Sequence, residues 1–138
     1  MKKIAATFVL SLFSIMSFAQ IEGKWKTIDD ETGKPKSIVE IYKKSDGKYY
    51  GKVHQLLIKP SNNSCVNCKD DRKNKPLIGL EIIRGLKKEG NEFVNGTITN
   101  PQDGKSYKTA LVREGDKLKV KAIIMGIAMK TQTWEKVN

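Results

Sequence analysis

Cys65-Val66-Asn67-Cys68 is the spacing in this 138-residue chain that has the widest chemical repertoire. Two thiols so placed can form a redox pair, attach a haem, supply half a zinc site or close a disulfide. A thioredoxin-like pair sits at a helix N-terminus within a βαβ unit. Here the pair lies in a polar stretch, 59–75, between strand-like segments. Haem attachment needs His directly after the second Cys, and Lys69 stands there. A zinc site needs about four ligands, and the chain holds a single His. In an oxidising compartment the reading is a local disulfide between Cys65 and Cys68. That bridge closes a very small ring, so it stiffens the tip of its loop without stapling the loop to the rest of the chain.

The other reactive residue types do not assemble into a set. His54 alternates with Lys52 on an outward parity, with no partner beside it. Asp29, Asp30 and Glu31 lack the D-x-D-x-D-G spacing of a calcium loop and read as a solvated turn. The serines have no nucleophile elbow, and no glycine-rich phosphate loop is present. No catalytic residue, metal site or cofactor is expected.

The elements that carry these residues are short strands. Segments 24–28, 37–43, 48–58, 76–86, 92–99, 106–112, 117–124 and 129–137 alternate or are bounded by turn residues. Asp46-Gly47 and Asn100-Pro101-Gln102-Asp103-Gly104 are turns with a mechanism: Pro fixes φ, and Gly tolerates positive φ. Segment 117–124 is the clearest strand. Leu118, Val120, Ala122 and Ile124 share one parity; Lys117, Lys119 and Lys121 share the other. Segment 76–86 is the least clear, because Leu80, Ile83 and Leu86 also allow a helical stripe. The expected fold is all-β, a single small up-and-down barrel of about eight antiparallel strands, closed so that no edge is exposed.

A barrel of this size is either packed by its own side chains or holds one small ligand. The apolar parity places Trp25, Val39, Ile41, Tyr49, Val53, Leu118, Val120 and Ile124 inside. Gly51, Thr109, Ala122, Thr131 and Thr133 share inward positions. Trp25, Tyr49, Val53, Tyr107, Thr131 and Thr133 are the candidate ligand-contacting residues, since aromatic, aliphatic and hydroxyl groups together make a pocket with a few hydrogen-bonding points. A packed core and a pocket both remain open. Trp25 is expected to plug one end, and Trp134 to lie on the closing seam. Any binding belongs at the other mouth, near the cysteine loop or an opposing set of turns.

Residues 1–19 read as a signal peptide: Lys2 and Lys3, an apolar run over 4–18, and small residues Ser17 and Ala19 before a cut. The mature domain is then 20–138, exported to the periplasm or secreted, with no transmembrane segment. The net charge of +11 falls to +9 when Lys2 and Lys3 leave. A basic exported chain can meet an anionic envelope component such as lipid headgroups or acidic polysaccharide. The lysines, however, are spread over nearly every turn and outward face, which favours a solubilising surface. No RNA-type aromatic motif or zinc knuckle points to nucleic acid.

Gly23-Lys24-Trp25 resembles the opening G-x-W of the calycins, the superfamily of lipocalins and fatty-acid-binding proteins. In that pattern the Trp closes one barrel end and a basic residue near the last strand packs on it. Lys136 is the counterpart here, and the usual Arg is absent from that region. The whole mature chain also resembles a bacterial exported family, domain of unknown function (DUF) 2147. The resemblance rests on Gly23-Lys24-Trp25-Lys26-Thr27, the run 33–39, Tyr50-Gly51-Lys52-Val53, Cys65-x-x-Cys68 and Lys75-Pro76-Leu77-Ile78-Gly79. It continues through Asn100-Pro101-x-x-Gly104-Lys105-x-Tyr107 to Thr131-Gln132-Thr133-Trp134. The resemblance implies a barrel but no assigned chemistry. The expectation is a non-enzymatic barrel that binds a small, partly apolar ligand. The alternative is an envelope interaction or structural protein with a packed barrel, acting through its basic surface and the cysteine loop.

Overall fold

The computed structural model describes residues 20–138, with 128 and 129 described by backbone only. Eight strands follow one another: β1 (Gly23–Ile28), β2 (Pro35–Lys43), β3 (Tyr49–Leu56), β4 (Glu81–Glu89), β5 (Glu92–Thr99), β6 (Ser106–Glu114), β7 (Lys117–Ile124) and β8 (Ile127–Lys136). Each pairs antiparallel with the next, and β8 returns to β1 through Trp25–Lys136 and Lys26–Glu135, so the barrel is closed. The expected all-β, up-and-down architecture is the one observed. The signal-peptide reading of 1–19 lies outside the described residues.

A meander puts alternate turns at opposite ends. The tight turns after β2, β4 and β6 lie at one end together with Trp25; this is the closed end. The β1–β2 turn, the long β3–β4 loop, the β5–β6 turn and the β7–β8 turn form the open end.

Most strand ends differ from expectation by a few residues, and two of the differences bear on the open end. The third strand stops at Leu56, leaving Leu57 and Ile58 exposed in the loop. The fourth begins at Glu81, not at 76, because residues 75–80 are used otherwise. Ser64 bridges Pro76, Leu80 N–H donates to Leu77 O, and Gly79 turns at φ +85°. The doubtful periodicity of this stretch comes from bulges in β4. Gly51 faces Ile83 while Lys52 faces Glu81, so Ile82 and Ile83 together oppose one step of β3, and both are buried. Gly85, at φ +73°, makes the second bulge.

The inward residues of the closed half are tightly packed. Trp25, Ile41, Leu86, Phe93, Leu111, Leu118 and Trp134 are all essentially inaccessible to water. Tyr49 meets Phe93 edge-on at 4.9 Å. The small inward residues are required by this packing. A Cβ on Gly51 would stand 3.2 Å from Ile83 and Val39, and one on Gly96 only 2.7 Å from Leu86.

Candidate functional site

Trp25 plugs the closed end. Its indole N–H donates to Ile21 O at 2.8 Å. Lys136 Nζ lies 5.3 Å from the ring centroid. The guanidinium of Arg113, on β6, lies at the same distance. Arg113 also donates to Gly115 O and Gln20 O, which ties the first described residue across the plug. Lys136 is thus the basic counterpart on the last strand, and the Arg absent from that strand is supplied by β6. Its sequence signal was a lone Arg beside the Glu114-Gly115-Asp116 turn.

The candidate ligand-contacting residues separate. Trp25, Tyr49 and Val53 face inward and are buried in the packed part of the barrel. Tyr107 also faces inward, in line with buried Thr109 and Leu111, but is only half-buried. Thr131 and Thr133 do not face inward. They sit opposite Lys121 and Lys119, and Lys119 Nζ donates to Thr133 Oγ1 at 2.9 Å. The inward residues of β8 are Gln132 and Trp134, whose indole N–H donates to Gln132 Oε1. Trp134 is therefore a core residue as much as a seam residue. Ile124 stands exposed at the rim instead of lining the interior.

Toward the open end the inward row changes character. Ser37, Leu56, Ile98, Tyr107, Ala122 and Gln132 are each half-buried, whereas their counterparts in the closed half are fully covered. The β1–β2 turn leans over this mouth. Asp30 accepts from Lys130 Nζ at 2.5 Å and from Gln132 Nε2 at 2.8 Å. Partial burial works to raise the Asp30 carboxyl, but these hydrogen bonds prevail and hold it below the usual carboxylate range. Lys130 is raised by Asp30, with a further contribution from Tyr107. The sequence had offered Asp30 only as part of a solvated turn.

The β3–β4 loop forms the other side of the rim. Cys65 and Cys68 form the expected disulfide, and both are buried within the barrel's apolar cluster. The bridge is local, yet the loop is well fastened by other means. Gly79 N–H donates to Val53 O, and Val53 N–H to Leu80 O. Arg72, nearly buried, forks onto Asp70 at 2.6–3.1 Å and donates to Glu81 O at 2.9 Å. Arg84 grips Asp71 through both terminal nitrogens and Glu81 through Nε. Glu81 also receives Lys44 and the Tyr42 hydroxyl. Burial and the Glu81 carboxylate push the Tyr42 phenol far above its ordinary value. Arg72–Asp70 and Arg84–Glu81 are near neighbours in sequence, but the contacts that fasten the loop and β2 to β4 span 9 to 39 residues, so the network as a whole left no local signature.

The disulfide tip presses on the β5–β6 turn. Asn67 Nδ2 donates to Gln102 O at 2.6 Å, and a Cβ on Gly104 would overlap Asn67 O at 1.8 Å. Between loop and turn lies a cleft of 410 Å³. Lys69, Asp70, Arg72, Thr99, Lys105 and Tyr107 contribute to its walls. Arg72 is occupied by Asp70, but Lys69 and Lys105 make no ion pair among the described residues, so the cleft favours an anion. His54 lies exposed on β3, on the parity opposite the inward residues. Among the described residues no cluster of three or more metal-ligating side chains occurs.

Residues 23–136 match a family described as an uncharacterized protein conserved in bacteria, DUF2147. The chain belongs to this family. No curated protein matches it. Among solved structures, the DUF2147 chain is similar to protein HP1028 from Helicobacter pylori, described as belonging to the lipocalin family. The TM-score is 0.74 at 19% identity, covering 86% of this chain and 84% of that one. At that identity the likeness is one of fold: a lipocalin-like barrel.

Proposed function

We propose that this DUF2147 protein is a non-enzymatic binder of a small, partly apolar anion, taken up at the open end of the barrel. The observation that carries the reading is the half-buried inward row at that end, set against the fully packed closed end. Tyr107 belongs both to this row and to the wall of the 410 Å³ cleft, whose volume lies within the range of about 300–1,000 Å³ usual for small-molecule sites. An apolar segment of ligand would lie against Leu56, Ile98 and Tyr107, and its charged end would face Lys69 and Lys105. Trp25, Tyr49 and Val53 would act as the floor of the site, not as contacts. A packed barrel working only through its surface fits less well with an inward row left half-open. We further infer export, after removal of 1–19, because the Cys65–Cys68 bridge suits an oxidising compartment.

Calorimetric titration of the 20–138 protein with medium-chain carboxylates and alkyl phosphates tests this. Saturable binding is expected, weakened about tenfold by Lys69→Glu with Lys105→Glu, as loss of two close charge contacts implies. Absence of saturable binding across the series, or binding indifferent to both substitutions, would overturn the reading.

A further inference from the structure

Every large apolar side chain exposed among the described residues lies at the open end. Leu57, Ile58, Val66 and Ile78 belong to the β3–β4 loop; Met125 lies in the β7–β8 turn, and Ile124 and Ile127 flank it at the strand ends. Scattered exposed apolar residues are ordinary, but their collection at one end is not. In the order of strands, β3–β4 and β7–β8 lie on opposite sides of the barrel, so the two apolar groups flank the mouth.

Met125 is the most telling of them. It is 97% exposed. It is the first residue of the turn Met125-Gly126, and both residues have positive φ, +53° and +77°. Such two-residue turns favour Asn-Gly or Asp-Gly, and an unbranched apolar side chain gains nothing there from the backbone. The other non-glycine residues with positive φ, Asn74 and Asn95, are both Asn. The chain thus gives up local turn stability to present an apolar side chain to the outside.

The charge at this end points to the partner. Lys59, Lys69, Lys73 and Lys75 are exposed in the β3–β4 loop and enter no ion pair among the described residues. The loop's two acids are consumed: Asp70 by Arg72, and Asp71 by Arg84. What the loop shows outward is apolar side chains among uncompensated lysines, the composition of surfaces that lie in an anionic lipid interface. A second copy of the chain seated on this end would bring the same lysines together, which opposes self-association.

We infer that the open end docks on an anionic lipid surface, with the Met125 tip and the apolar residues of the β3–β4 loop entering the headgroup region on either side of the mouth. The inference stands independently of whether the mouth holds a ligand. Docked in this way, the mouth faces the lipid.

Co-sedimentation of the 20–138 protein with phosphatidylcholine vesicles, with and without phosphatidylglycerol, tests it. Binding is expected only with the anionic lipid, and should weaken as salt is raised. Met125→Asn should preserve or raise the melting temperature while weakening vesicle binding severalfold. Lys69→Glu with Lys73→Glu should weaken it by about tenfold or more. Lys48→Glu, at the closed end, should leave it unchanged. The inference is overturned if anionic vesicles do not bind the protein, if Lys48→Glu weakens binding as much as the open-end pair does, or if Met125→Asn binds like wild type. Concentration-dependent dimerisation without lipid, abolished by Met125→Asn, would also overturn it, because the apolar tip would then serve a second copy.

Discussion

Gly96 and Gly104 are both glycine for want of space, but for different reasons. Gly96 lies within the barrel, where a Cβ would meet Leu86 side-chain atoms at 2.7 Å. Gly104 lies at the rim, at φ +72°, pressed against the backbone of Asn67. A methyl group added at Gly96 overpacks the core and should cost about 1–3 kcal/mol, read as a lower melting temperature of the whole barrel. At Gly104 the positive φ alone should cost about 1–2 kcal/mol, and Asn67 must also move. Gly104→Ala is therefore expected to part the cysteine loop from the β5–β6 turn, which hydrogen exchange at 65–68 and 100–105 would report as local loss of protection. Equal and global loss of protection in both variants would contradict this division. The two roles look alike in sequence, since a glycine in or beside a strand announces a bulge or a close approach without saying what approaches.

Among the elements, the β3–β4 loop is held in place largely by charge. Asp70, Asp71 and Glu81 are all held below the usual carboxylate range. For Asp70 and Asp71 the first cause is hydrogen bonding from Arg72 and Arg84 respectively; for Glu81 burial opposes the shift, and Lys44 and Tyr42 outweigh it. Groups lowered in the folded state stabilise it above their unfolded values, near pH 4. That contribution is lost as pH falls through the folded values. Because Asp70 and Asp71 join the loop to β4 through Arg72 and Arg84, acidification well below the usual carboxylate range should release the loop before the barrel opens. Protection factors at 65–80 are expected to fall while those of β6 and β7 hold; a simultaneous fall in both would contradict the account. The strands themselves were legible where alternation is clean, as in 117–124, and where turn residues have one function, as at Asp46-Gly47. β4 was misplaced because its two bulges break the period that reveals a strand. Thr131 and Thr133 were assigned inward because their hydroxyls suit a pocket; register with Lys119 and Lys121 settles the matter the other way. Arg113 on Trp25 and Asp30 on Lys130 were not legible at all, since each joins elements that only barrel closure brings together, and Arg84 on Asp71 was not legible because the β3–β4 loop has no periodicity from which to place its side chains.

On the scale of the whole molecule, the barrel has two unlike ends. One is shut by Trp25 beneath Arg113 and Lys136 and filled by large side chains down to van der Waals contact. The other keeps a half-open inward row, a cleft between two loops, and the large apolar side chains exposed among the described residues. The lipocalin-like architecture accommodates both because closure requires only that the backbone pair, and leaves the inward side chains of each half free to differ. The central claim is that the upper interior receives a small molecule while the lower interior is core. Amide and methyl shifts of the isotopically labelled 20–138 protein, followed while a medium-chain alkyl phosphate is titrated in, test it most directly. Saturable shifts confined to Leu56, Lys69, Ile98, Lys105 and Tyr107, with Phe93, Leu111 and Leu118 unmoved, are the predicted result. Shifts that never saturate, or that fall equally on Phe93, Leu111 and Leu118, would contradict it.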